Sequence, residues 1–266
     1  MSNYTNFFGF QKEPFPQTMD VEKLYMHPAL ERMAERFKYA VGVGMVNVIT
    51  GDVGSGKSTS LRYACSSLHP SKFKVIPVIA NTGGMIEILR QICVAFDIDA
   101  ASNSITLLTR NINAAVKDIF GRKCVPVLVI DEAHLMRDQI FFQLHTLMQY
   151  EFNAERIMPL TLCGQASLLN RLQNVHALGL ASRVVGRTKL EVLDLQNTKQ
   201  YVQHHLKVAG ITEDIYEEAA VIAVHQGSGG NMRKANNLAR GALVAAASKK
   251  SKIVSAEHVR LAAETF

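Results

Sequence analysis

Residues Gly51-Asp52-Val53-Gly54-Ser55-Gly56-Lys57-Ser58 carry the spacing G-x-x-x-x-G-K-[ST], with Thr59 following. Each constrained position suits the gripping of a phosphate chain. Glycines at Gly51, Gly54 and Gly56 let the backbone wind round an anion with its amides turned inward. Lys57 sets a point charge against β- and γ-phosphates, and the Ser58 hydroxyl reaches Mg²⁺. A helix that starts at Lys57 presents its positive end to the same anion. The expected ligand is ATP with Mg²⁺, held at Gly51–Thr59.

About 75 residues further on, the apolar run Val127-Leu128-Val129-Ile130 delivers Asp131 and Glu132. An acid at the end of a buried strand is the expected metal-holding carboxylate, so Asp131 takes Mg²⁺. Side chains alternate on extended backbone, so Glu132 points elsewhere and is placed to polarise a water for attack on the γ-phosphate. Gln165, after the apolar Thr161-Leu162-Cys163-Gly164, would stand beside the γ-phosphate if its strand lies between the other two. An exposed loop glutamine is the alternative. Arg183 and Arg187 could be offered to a neighbouring subunit's γ-phosphate, and Arg233 could reach the nucleotide from a C-terminal helix.

These side chains need a scaffold. Met45–Thr50, Lys74–Ala80, Val125–Ile130 and Leu160–Cys163 read as short buried strands, with Lys189–Val192 as a possible fifth. Helical stripes lie between them: residues 28–41, then Ile86 to Phe96, Leu108 to Ile119 and Ile140 to Met148. Strands alternating with helices predict an α/β fold with a parallel sheet covered on both faces. After residue 194 the strands stop. Asn197–Ala209, Glu213–His225, Met232–Ala247 and Ser255–Thr265 all read as helices. The expected domains are a core at 1–194 and an all-helical lid at 195–266.

With 266 residues, 48% hydrophobic and 20% charged, the chain can bury a substantial core. No run of eighteen apolar residues occurs and the first ten residues lack a leader pattern, so a cytoplasmic protein with no membrane partner is expected. The cysteines Cys65, Cys93, Cys124 and Cys163 are widely spaced in apolar segments and read as buried thiols. His134 and the pair His204–His205 read as ordinary surface or core residues. Residues 227–260 hold seven basic side chains against Glu257 alone, an excess equal to the chain's net charge of +6. Nucleic acid is one candidate for the anionic partner; a solvated basic face is the other reading.

Taken with Asn6-Phe7-Phe8-Gly9-Phe10, Glu13-Pro14-Phe15, Asp20, Leu24-Tyr25 and Arg36-Phe37-Lys38-Tyr39-Ala40-Val41, the nucleotide motifs resemble those of AAA+ ATPases of the ExeA/GspA-like family. That family is related to transposition helper ATPases such as MuB and TniB. The resemblance runs over nearly the whole chain. It implies an AAA+ P-loop NTPase core with strand order 5-1-4-3-2 and a C-terminal helical lid. It implies sensor roles for Gln165 and Arg233, an arginine finger at Arg183, and adenine packed near Leu24 to Pro28. The chain ends after the lid without the membrane helix of secretion members. The helper branch is therefore expected: an ATP-dependent homo-oligomer on double-stranded DNA that recruits or stimulates a transposase. Assembly of a secretion machinery is the alternative.

Overall fold

The computed structural model describes residues 4–149 and 157–265. The chain divides into two compact units, one of residues 28–53 and 57–190, the other of residues 1–27, 54–56 and 191–266.

The first unit is built on a five-stranded parallel sheet: β1 Val46–Gly51, β2 Phe73–Ile79, β3 Val125–Asp131, β4 Leu160–Gly164 and β5 Val184–Leu190. Its order is β2-β3-β4-β1-β5, the predicted 5-1-4-3-2 read from the other edge. Strands β1, β3 and β4 are near-continuous apolar runs because both faces are covered. On one face, Ile49, Val127, Val129 and Cys163 pack against Met33, Phe37 and Val41 of α2 (Pro28–Gly42) and against Leu61 and Ala64 of α3 (Lys57–Ser66). On the other, Val46, Val48, Leu128, Ile130 and Leu162 meet α4 (Met85–Phe96), α5 (Ile105–Gly121) and α6 (Asp138–Leu147) through Leu89, Ile112 and Phe141. Two shorter helices, α7 (Ser167–Leu172) and α8 (Leu178–Ala181), lie between β4 and β5. Phe141 is fully buried in this layer, so truncating it to alanine would cost about 3–5 kcal/mol.

The fifth strand lies earlier than the Lys189–Val192 run predicts. Along Val184–Leu190, Val185, Arg187 and Lys189 point outward while Gly186, Thr188 and Leu190 are buried. Edge strands alternate in this way because one face meets solvent, and charged outward positions hide the period from a search for apolar runs.

The second unit is helical: α1 (Tyr4–Phe8), α9 (Leu195–Val208), α10 (Glu218–Ser228), α11 (Met232–Ser248) and α12 (Ala256–Thr265). Asp194 caps α9 by accepting the Asn197 amide, and Asn231 caps α11 by accepting that of Lys234. The helix predicted over Glu213–His225 begins only at Glu218. Before it, Tyr216 forms a parallel bridge with Val254 and its hydroxyl donates to the Ala239 carbonyl at 2.7 Å. The N-terminal segment groups with these helices and not with the sheet. Phe8 and Phe15 join the helical core, the Gln11 amide donates to the Ala209 carbonyl at 2.9 Å, and Lys252 stands 4.2 Å over the Phe7 ring.

Candidate nucleotide site

Strand β1 ends at Gly51 and α3 begins at Lys57, so the glycine-rich segment is the strand-to-helix turn that the spacing requires. Gly54 (φ 82°) and Gly56 (φ 84°) hold left-handed conformations. At Gly54 the demand is double, because an added Cβ would stand 2.5 Å from Asn231 Oδ1 and 2.9 Å from the Arg233 Cβ. The Arg233 amide also donates to the Gly54 carbonyl at 3.2 Å, which ties the start of α11 to the middle of the loop. Ser55 is buried and its hydroxyl has no hydrogen-bond partner among the described residues. A buried hydroxyl without a partner in an amide-rich turn is the kind of group that can donate to an anionic ligand's oxygens.

Lys57 is only 7% exposed, and its ammonium donates to the carbonyls of Gly51 (3.0 Å) and Asp52 (2.8 Å). The charge is thus parked on the rim of its own loop, tethered by hydrogen bonds it can exchange for phosphate oxygens. The Ser58 hydroxyl donates to Asp131 Oδ2 at 2.7 Å, and Asp131 Oδ1 accepts the Glu132 amide at 2.8 Å. A hydroxyl and a carboxylate in contact are a fitting pair of hard oxygen donors for Mg²⁺, with phosphates and water completing the octahedron. Among the described residues no group of three His, Cys, Asp or Glu side chains could hold a metal unaided.

Register places the candidates. Thr50 of β1 aligns with Gly164 of β4, and Ile130 of β3 with Leu162. Because β4 lies between β3 and β1, the condition set for Gln165 holds: it follows the strand that separates the phosphate loop from the acidic pair. Glu132 adopts φ 54°, ψ 28°, a left-handed conformation unusual for a glutamate. Cys163 lies buried beneath, its thiol pKa raised by burial first and by the Asp131 charge second. The thiol is a neutral core group there.

Arg183 does not join this cluster within the chain. Its carbonyl accepts the Val46 amide at 3.0 Å, at the opposite end of β1 from Gly51, roughly 16 Å away at the strand rise. Its charge helps to lower the His145 pKa, after burial as the first cause. Arg187 points outward from β5. The segment near Leu24 packs through Tyr25, whose hydroxyl lies within donating distance of Gln200 Oε1 (2.8 Å) and Asn197 Oδ1 (3.0 Å) of α9.

His134, read from sequence as an ordinary residue, lies beside the acidic pair. It is in the 3-10 turn Ala133–Leu135 with Nδ1 3.4 Å from Glu132 Oε2. Its place two residues after Glu132 was the one available hint; nothing in the spacing says which way the ring turns.

Two cations of the basic C-terminal stretch are engaged internally. Arg260 pairs with Glu257 and Glu264, and Lys252 covers Phe7. Arg233, Lys234, Lys249 and Lys250 are exposed, and Arg240 is half-buried. Among the described residues no helix is long and apolar enough to cross a membrane.

Residues 44–172 match the family described as AAA domain. General secretion pathway protein A of Aeromonas hydrophila is 28% identical over 266 aligned residues, covering 98% of this chain and 48% of that protein. The chain thus spans about half the length of the curated relative it matches. Among solved structures, Cdc6p of Pyrobaculum aerophilum superposes with a TM-score of 0.69 at 16% identity, covering 98% of this chain and 70% of that one. The Aeropyrum pernix ORC1 protein in complex with DNA gives 0.67 at 16%, covering 92% and 66%. The Thermotoga maritima RuvB Holliday junction branch migration motor gives 0.58 at 18%, covering 97% and 73%. These likenesses show the fold: an α/β P-loop NTPase core with a helical C-terminal part.

Proposed function

We propose that this chain is an AAA+ ATPase of the ExeA/GspA type that binds ATP with Mg²⁺ and hydrolyses it to ADP and phosphate. The observation that carries the reading is the Ser58–Asp131 contact at 2.7 Å. It brings the end of the phosphate loop and the end of the acidic strand, 73 residues apart in sequence, to one metal-sized spot. In this reading the amides of Gly51–Thr59 cradle the phosphates and Lys57 exchanges its carbonyl partners for β- and γ-oxygens. Ser58 and Asp131 hold Mg²⁺, which when bound neutralises charge on those oxygens. Glu132 orients the attacking water and takes up its proton, with Gln165 as a second orienter. Arg233 enters from the helical lid, residues 195–266, and Arg183 serves a neighbouring copy in an ATP-dependent homo-oligomer.

Phosphate release tests the chemistry. Wild type should turn over, Glu132→Gln should bind ATP but lose turnover by about 10²–10⁴-fold, and Lys57→Ala should lose nucleotide affinity. Unchanged affinity in Lys57→Ala, or equal release from wild type and Glu132→Gln, refutes it.

For the cellular role, the basic excess of residues 227–260 supports contact with double-stranded DNA; ATP dependence and service of a transposase are what the resemblance to transposition helper ATPases implies. The Aeropyrum pernix ORC1 neighbour, solved in complex with DNA, supports the DNA contact alone, at the level of fold. The secretion relative, matched over almost the whole chain, supports a second reading in which the ATPase assists assembly of a secretion machinery. Gel filtration with ATP, with and without duplex DNA, separates them. A salt-sensitive, DNA-dependent assembly favours the first, and assembly indifferent to DNA favours the second.

A further inference from the structure

His134 is 9% exposed and stands between two groups with opposite needs. Its Nδ1 is 3.4 Å from Glu132 Oε2 and 3.4 Å from the backbone nitrogen of Gln165. The carboxylate can only accept a hydrogen bond, and the amide can only donate one. An imidazole nitrogen is either a protonated donor or a lone-pair acceptor, so Nδ1 serves one neighbour at a time. The end of β4 is shaped to admit the ring. A Cβ on Gly164 would stand 3.1 Å from the His134 backbone nitrogen and 3.2 Å from Nδ1. On the other side, Glu132 is held at φ 54°, a strained conformation for a non-glycine residue that persists only where the surroundings impose it.

We propose that His134 is a positioning residue, its two tautomers alternately bonding the Glu132 carboxylate and the Gln165 amide, so that the aim of Glu132 is tied to the end of β4 that carries Gln165. This rests on the reading of Glu132 as the group that orients the attacking water. With the proton on Nδ1 the ring restrains the carboxylate. With the proton on Nε2 the ring accepts from the Gln165 amide and the carboxylate turns free toward the phosphate loop. A nucleotide that shifts β4 at Gly164, the register partner of Thr50 at the loop, thereby changes what Glu132 can reach.

Steady-state turnover and ATP binding of His134→Ala, His134→Asn and Gly164→Ala test this. His134→Ala should lower kcat by about 10- to 100-fold, the scale of a misplaced reacting group, with ATP affinity unchanged. His134→Asn, which offers a donor and an acceptor near the Nδ1 position, should recover most of that loss. Gly164→Ala should reproduce the alanine phenotype by displacing an intact ring. Wild-type kcat in His134→Ala overturns the proposal, as does a loss of ATP affinity matching the loss of kcat, or an asparagine variant no better than alanine. Long-range ¹H–¹⁵N spectra supply a readout independent of hydrolysis. Glu132→Gln should move the His134 Nδ1 resonance, and His134→Ala should shift the Gln165 amide. If wild type hydrolyses nothing, the reading of Glu132 falls, and unmoved resonances overturn the contact proposal separately.

Discussion

His205 on α9 lies 5% exposed between the ring of Phe15, stacked at 5.1 Å, and that of Tyr201 at 4.4 Å. Its Nδ1 has no hydrogen-bond partner among the described residues. Burial first, and the neighbouring His204 second, lower its pKa from 6.5 to about 3. The unfolded chain takes the proton near the ordinary value; the folded chain does so only near the lowered one. The stability from keeping this ring neutral is therefore complete above the unfolded pKa and drains away as pH falls from there toward 3. Each pH unit inside that window costs about 1.4 kcal/mol, so at pH 5 the loss is ~2 kcal/mol. Other histidines titrate too, and the comparison must be with His205→Phe, which keeps an aromatic ring against Phe15 and Tyr201 while removing the proton site. Urea unfolding followed by circular dichroism at pH 7.5 and pH 5 should show wild type losing ~2 kcal/mol more than the variant. The His205 ring resonance should stay flat down to about pH 4. Equal losses in the two proteins, or a ring that titrates at the ordinary histidine value, would refute the reasoning.

Ser58→Ala removes the hydroxyl that donates to Asp131 and should raise the Mg²⁺ concentration needed for half-maximal phosphate release; a Mg²⁺ titration of turnover reads this directly. Gly54→Ala forces a side chain into a left-handed position 2.5 Å from Asn231 Oδ1. It should destabilise the fold by about 1–3 kcal/mol, measured by thermal unfolding. Lys252→Ala removes the cation 4.2 Å above Phe7. It should loosen the N-terminal segment, by about 0.5–1 kcal/mol, and speed its proteolysis, while leaving DNA affinity unchanged if the exposed cations of α11 carry that contact.

The phosphate loop and the acidic pair are legible in the sequence because their chemistry is local. Glycines must supply the turn between Gly51 and Lys57, and a buried strand must end where Asp131 begins. The strands β1, β3 and β4 are legible for a similar reason, since residues covered on both faces leave near-continuous apolar runs. The start of α10 and the extent of β5 are not. Ile215 and Tyr216 look helical until Val254 pairs with that segment, and Arg187 and Lys189 mask an edge strand whose other face is buried. Tertiary structure alone decided that β4 separates β3 from β1, which brings Gln165 to the acidic pair while leaving Arg183 at the far end of β1. It also decided that the His134 ring sits between Glu132 and the Gln165 amide, that Lys252 and Arg260 are engaged within the chain, and that the N-terminal aromatics pack on the C-terminal helices. Each of these depends on contacts between residues remote in sequence. Their energies are set by which surfaces meet, and local spacing holds no record of that.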